Sequence, residues 1–152
     1  MAEGKIEVLL KISEVNLLRA EKRFEAEEYD SAVFHASTAL ESAANAMILR
    51  LGGSEAKDHR VISGLAAVLR RVKPELLDEE RYADLVRRGR QMEREVVYTR
   101  YPLKIGGRWI TPMDYYTREK AREIIDDAKS VVETIREYLK GSTDRRDSEE
   151  AA

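Results

Sequence analysis

Apolar residues recur at helical spacing along most of this chain. In residues 5–28 Ile6, Leu9, Leu10, Leu17, Leu18 and Phe24 fall on one side, and Glu with Lys or Arg fills the rest. Asp30 or Ser31 offers a cap for a second helix. That helix carries Ala32, Val33, Ala36, Ala39, Leu40, Ala43, Met47, Ile48 and Leu51, with Glu41 the sole charge between Asp30 and Arg50. So small-sided and apolar a segment belongs at the centre of the molecule, with neighbours on several sides. Gly52-Gly53 provides its C-terminal stop. Asp58 is placed to start a third, shorter helix bearing Val61, Ile62, Leu65, Val68 and Leu69.

Pro74 suits a first helical turn, and a fourth helix is expected from about Glu75 to Arg100. Its stripe is Leu77, Tyr82, Leu85, Val86, Met92, Val96 and Val97, with Gly89 beneath it where a neighbour can approach closely. Pro102 restricts Tyr101 and ends that helix. Residues 101–116 read as a loop with room for a short hairpin at Gly106-Gly107. Thr117 caps a last helix through Ala121, Ile124, Ile125, Ala128, Val131, Val132, Ile135 and Leu139, closed by Lys140 and Gly141. The pattern predicts an all-α protein: an antiparallel up-and-down four-helix bundle with an additional short helix over residues 1–141, followed by a polar, disordered tail over 142–152.

Composition narrows the chemistry. The 152 residues contain no cysteine, which excludes disulfides and thiolate metal sites. Two histidines without a close carboxylate pair give no zinc site, so neither a metal nor a cofactor is expected. No apolar run approaches the roughly 20 residues of a membrane span, and the N-terminus lacks a secretion signal, so a cytoplasmic protein is expected. Charged residues make up 37 %, and Asn16, Asn45 and Gln91 are the only side-chain amides, a combination that points to a thermophilic source. The net charge is −2, yet residues 59–108 hold 12 basic against 7 acidic side chains. That basic middle third can attract a phosphate; a solvated face laced with ion pairs is the alternative.

The densest chemistry is Tyr98-Thr99-Arg100-Tyr101-Pro102, at the predicted end of the fourth helix. Arg94 and Arg90 lie one and two turns upstream, and Lys104 follows. Guanidinium groups beside phenol rings can hold a phosphate and stack a base. Arg94, Tyr98, Thr99, Arg100, Tyr101 and Lys104 are the candidate ligand-binding residues, with Glu41, His59 and Arg90 in supporting roles. Glu41, on the most apolar helix, is expected to be buried and paired with an arginine of the basic zone. Arg87 and Arg88 read as surface residues paired with Asp84, Glu93 or Glu95, and His35 as a satisfied core or interface group. No Ser-His-Asp or Cys-His arrangement and no phosphate loop can be built, so no catalytic residue is named.

Three segments, in this order, resemble the HEPN family, the higher eukaryotes and prokaryotes nucleotide-binding domain. They are Glu28 to Ala43 with its Ala-rich core around Glu41, Asp58-His59-Arg60-Val61-Ile62-Ser63-Gly64-Leu65, and Thr99-Arg100-Tyr101-Pro102 followed by Tyr116, Ala121 and an amphipathic helix. The last is similar to an Arg-Tyr-Pro branch of archaeal and bacterial members. The resemblance implies a helical bundle that forms a homodimer, binds a nucleotide or RNA phosphate, and works with a minimal nucleotidyltransferase partner as toxin and antitoxin. Many members cleave RNA with an arginine followed a few residues on by histidine. Here Thr99 stands where that histidine would be, and neither His35 nor His59 follows an arginine at the required spacing. A threonine hydroxyl cannot shuttle protons near neutral pH. Binding is therefore the reading; a metal-independent endoribonuclease and a structural dimer that docks a protein partner are the alternatives.

Overall fold

The computed structural model describes residues 2–58, 60–95, 99 and 101–151. Helices α1 (Ala2–Glu25), α2 (Tyr29–Arg50), α4 (Glu80–Glu95) and α6 (Arg118–Ala151) build an all-α antiparallel bundle, with α3 (Val61–Val72) as the additional short helix. A 3₁₀ turn (Pro74–Asp78) precedes α4, and a hairpin of β1 (Leu103–Ile105) and β2 (Arg108–Ile110) leads into the single turn α5 (Pro112–Tyr115).

The Ala-rich helix is the axis of the bundle. α2 packs against α1, α3, α4, α5 and α6. Ala32, Ala36, Ala39, Ala43, Ala44 and Ala46 have no exposed surface, so neighbouring backbones can come close. The α1–α2 seam includes a buried hydrogen bond from the Ser13 hydroxyl to the Ala39 carbonyl at 2.8 Å. α6 closes the core with Ala121, Ile124, Ile125, Ala128, Val131, Val132, Ile135 and Leu139, all buried as the stripe predicted. On α1 the buried line runs through Ile6, Ser13, Asn16, Ala20 and Phe24, whereas Leu18 lies off it at 65 % exposure.

Helix ends follow local chemistry, with several shifts from expectation. α2 starts at Tyr29, one residue before the expected caps, and no side chain caps it. Its end matches the glycine prediction: Gly52 adopts φ +85°, its N–H donates to the Leu49 carbonyl, and the Gly53 N–H donates to Ile48. α1 ends in the same motif, but with Glu27 in the left-handed position at φ 63°. α4 begins at Glu80 rather than near Glu75, because Pro74 opens a 3₁₀ turn that stops at the extended Glu79. Gly106 and Gly107 both have positive φ, the requirement of a tight two-residue hairpin turn. The Thr117 hydroxyl accepts from the Lys120 N–H at 3.1 Å, capping α6 as expected. α6 then passes through Gly141, the expected stop, and continues to Ala151. A lone glycine lowers helix stability by about 1 kcal/mol without forcing an end.

Two devices seat α4 on α3. Gly89 is buried against Ile62, whose side chain would lie 2.6 Å from any added Cβ. The Glu93 carboxylate accepts hydrogen bonds from the Ile62 and Ser63 N–H groups and from the Ser63 hydroxyl, so α4 caps the start of α3. Burial raises the Glu93 pKa, an effect the same three donors oppose.

Candidate functional site

The last turn of α4 meets the first turn of α6, and the C-terminal end of a helix favours cations. On α4, Arg87 and Arg88 both bond Asp84, and Arg88 also reaches Asp127 of α6. These two arginines are bound within the fold, in line with their reading from sequence. Arg94, about two turns further along α4, is exposed and makes no ion pair among the described residues. The same helix thus divides its arginines between structure and an open side.

Across the gap, the Thr117 cap fixes the start of α6 and with it half-buried Lys120. The Lys120 ammonium donates to the Tyr115 hydroxyl, lies 3.9 Å from the centre of that ring, and sits 3.7 Å from Glu95 Oε1. Burial works against its charge, but the Tyr115 hydroxyl and the Glu95 carboxylate outweigh burial and raise its pKa. The buried Tyr116 donates from its hydroxyl to the Glu95 carbonyl at 2.9 Å, fastening the loop before α6 to the end of α4.

Between these walls lies an open cleft of about 440 Å³, lined by Gln91, Arg94, Glu95, Tyr115, Lys120 and Glu123, with Met92, Ile124 and Asp127 at its base. Its two cations and one phenol can hold phosphate oxygens. Its three carboxylates can accept from hydroxyl or amino groups. The lining contains no imidazole. Among the described residues no group of histidines and carboxylates is arranged to hold a metal ion.

Of the residues singled out from sequence, the structure places Arg94 in this cleft. Tyr101 and Lys104 are exposed and are not part of its lining. Lys104 stands opposite Trp109 across the hairpin, its ammonium 5.7 Å from the indole centre. Thr99 and Arg90 are half-buried, and Glu41 is half-buried rather than fully buried. Tyr98, Arg100 and His59 lie outside the described residues. Sequence reasoning did not select Lys120, Glu95 or Glu123. Lys120 carries a local signal, since it stands three residues after the Thr117 cap, but nothing in the sequence joins it to Arg94.

A helical bundle with a polar cleft at the α4–α6 junction is one instance of a known class. The HEPN domain model matches residues 6–138, and the chain belongs to the HEPN domain family. It is 29 % identical over 133 residues to a protein of Methanocaldococcus jannaschii named "Putative toxin MJ1304", covering 88 % of this chain and 87 % of that one. Among solved structures it is similar to TT1696 from Thermus thermophilus, with a TM-score of 0.70 at 24 % identity over 88 % of this chain and 97 % of that one. That likeness supports the bundle fold. Among the described residues no helix is long and apolar enough to cross a membrane.

Proposed function

We propose that residues 1–141 form a toxin–antitoxin-like HEPN module that binds a nucleotide or RNA phosphate in the α4–α6 cleft. It acts in the cytoplasm of a thermophile as a homodimer, beside a minimal nucleotidyltransferase protein. Arg94 and Lys120 take the phosphate oxygens, while Glu95 and Glu123 accept from sugar hydroxyls or base amino groups. Lys104 and Tyr101 extend the cationic and aromatic surface, and Tyr98, Thr99 and Arg100 follow α4 in sequence. The observation that carries this reading is Arg94, an exposed guanidinium without a carboxylate partner among the described residues, at a cleft that also offers acceptors. Membership of the family and similarity to a named toxin support it. Calorimetric titration with ATP and other nucleotides tests it. Binding that weakens about tenfold or more in Arg94→Ala is expected, the scale of one lost charge-assisted contact. No heat at millimolar ligand overturns it.

A second reading rests on the hairpin and α5. Trp109 and Met113 are 69 % and 68 % exposed, beside the exposed Ile105 and the cations Lys104 and Arg108. Exposed aromatic and Met side chains with basic neighbours suit a protein partner with an acidic face. Loss of a partner complex in Trp109→Ala, with nucleotide binding intact, would assign this surface to the antitoxin.

A further inference from the structure

A second cleft lies between α1 and α2. It measures about 500 Å³ and is lined by Arg19, Lys22, Arg23, Ala26 and His35. The first four fall on one face of α1, at the spacing of successive helical turns. Placing three cations on one such face is unfavourable unless something neutralises them. Arg23 is bonded to Glu28 at 3.0 Å, with both side chains about half exposed. Arg19 and Lys22 make no ion pair among the described residues, and no carboxylate lines the cleft.

His35 supplies the other wall, and its proton position follows from its neighbours. The Asn16 amide nitrogen donates to the Ile12 carbonyl at 2.9 Å, which fixes the amide. The Asn16 oxygen then faces His35 Nδ1 at 2.9 Å. A carbonyl oxygen only accepts, so Nδ1 carries the proton, and in the neutral ring Nε2 is left as an acceptor. Asn16 is itself buried, so the ring is held from within the core. Burial, then the charges of Arg19 and Arg23, lowers the His35 pKa.

We propose that Arg19, Lys22, Arg23 and His35 form a binding site for a phosphate-bearing small anion, separate from the Arg94 cleft. Guanidinium and ammonium groups take its charged oxygens. His35 Nε2 either accepts the remaining P–O–H proton or, once protonated, donates to the anion. The charged groups acting on the ring are Arg19 and Arg23, with Lys22 sharing the cleft and the uncharged Phe34 ring edge-on at 5.6 Å. An anion that offsets those cations raises the His35 pKa, so binding takes up protons. The site rests on α1 and α2 alone and stands or falls independently of the α4–α6 reading.

The test titrates the whole protein with inorganic phosphate and with pyrophosphate, following the His35 ring by NMR and the heat by calorimetry. Sodium chloride at matched ionic strength is the control. The expected result has three parts. His35 resonances shift and its pKa rises with pyrophosphate. Affinity drops about tenfold or more in the Arg19→Ala/Lys22→Ala double variant, whose altered side chains are exposed. The Arg94→Ala variant keeps the His35 response. Chloride matching pyrophosphate, or a double variant that binds as the wild type does, overturns the site.

Discussion

The two clefts differ in how their cations are balanced. At the α4–α6 junction Lys120 faces Glu95, Arg88 holds Asp84 and Asp127, and Arg94 makes no ion pair among the described residues, within a wall of mixed sign. In the α1–α2 cleft the wall is cationic, and among the described residues Glu28, outside the lining, is its one carboxylate partner. The first cleft suits a ligand carrying both negative charge and hydrogen-bond donors. The second suits a compact anion. A count of charges along the sequence points to the basic middle third and passes over α1, whose third of the chain is net acidic. What decides is which carboxylates the fold has already used: Glu21, for one, is taken by Arg122 and Lys129 of α6.

Four changes should act unequally on the two sides of the bundle. Gly89→Ala places a methyl group into Ile62 at the α3–α4 contact, and should destabilise the protein by about 2 kcal/mol even after the gain in helix propensity. Hydrogen exchange should then loosen α3 and α4 while the α1–α2 seam stays protected. Equal loosening on both sides would show that the two clefts share one cooperative unit. Glu93→Ala removes the acceptor at the start of α3 and should lower stability by about 1–2 kcal/mol in denaturant unfolding, with the α1–α2 cleft unaffected.

The third change is acidification. Arg122, chiefly through its hydrogen bonds, and Lys129 lower the Glu21 pKa from 4.5 to about 2. Because the folded-state value is the lower one, the stabilisation is complete above the unfolded pKa and is lost as pH falls through that value towards 2. After allowance for solvent screening it amounts to about 1 kcal/mol. Stability curves of the wild type and Glu21→Gln should therefore converge at low pH, and a constant gap down to pH 2 would contradict the assignment. The smallest effect is expected at Glu27→Gly. Relief of the left-handed strain at the end of α1, set against the greater freedom of glycine when unfolded, should stabilise by up to about 1 kcal/mol. A loss of stability there would mean that the Glu27 side chain supports the entrance to α2.

The bundle was legible because its signals are local. Alanine spacing placed α2 at the centre, Gly52-Gly53 marked its end, Thr117 marked the start of α6, and Gly106-Gly107 marked the turn. Misplaced ends have local causes too: residues 75–79 are good helix formers, and only the geometry imposed after Pro74 keeps them out of α4. Leu18 fits an apolar helix by composition, but three-dimensional packing gives the buried line to Ser13, Asn16 and Ala20 instead. Within the candidate site, Arg94 was readable from the run of arginines on its helix. Lys120 and the His35–Asn16 pair were not, since each depends on helices meeting across distant stretches of chain. Glu41 was expected to be buried from the hydropathy of its neighbours, yet α2 turns it to a half-covered side.

The phosphate reading rests on Arg94, an exposed arginine that lines the α4–α6 cleft and makes no ion pair among the described residues. Parallel ATP titrations of wild type, Arg94→Ala and Arg81→Ala test it most directly, because Arg81 is an exposed arginine already paired with Glu137. Arg94→Ala should lose about tenfold or more in affinity, and Arg81→Ala should bind as the wild type does. Equal weakening by both substitutions, or by neither, would contradict the phosphate reading.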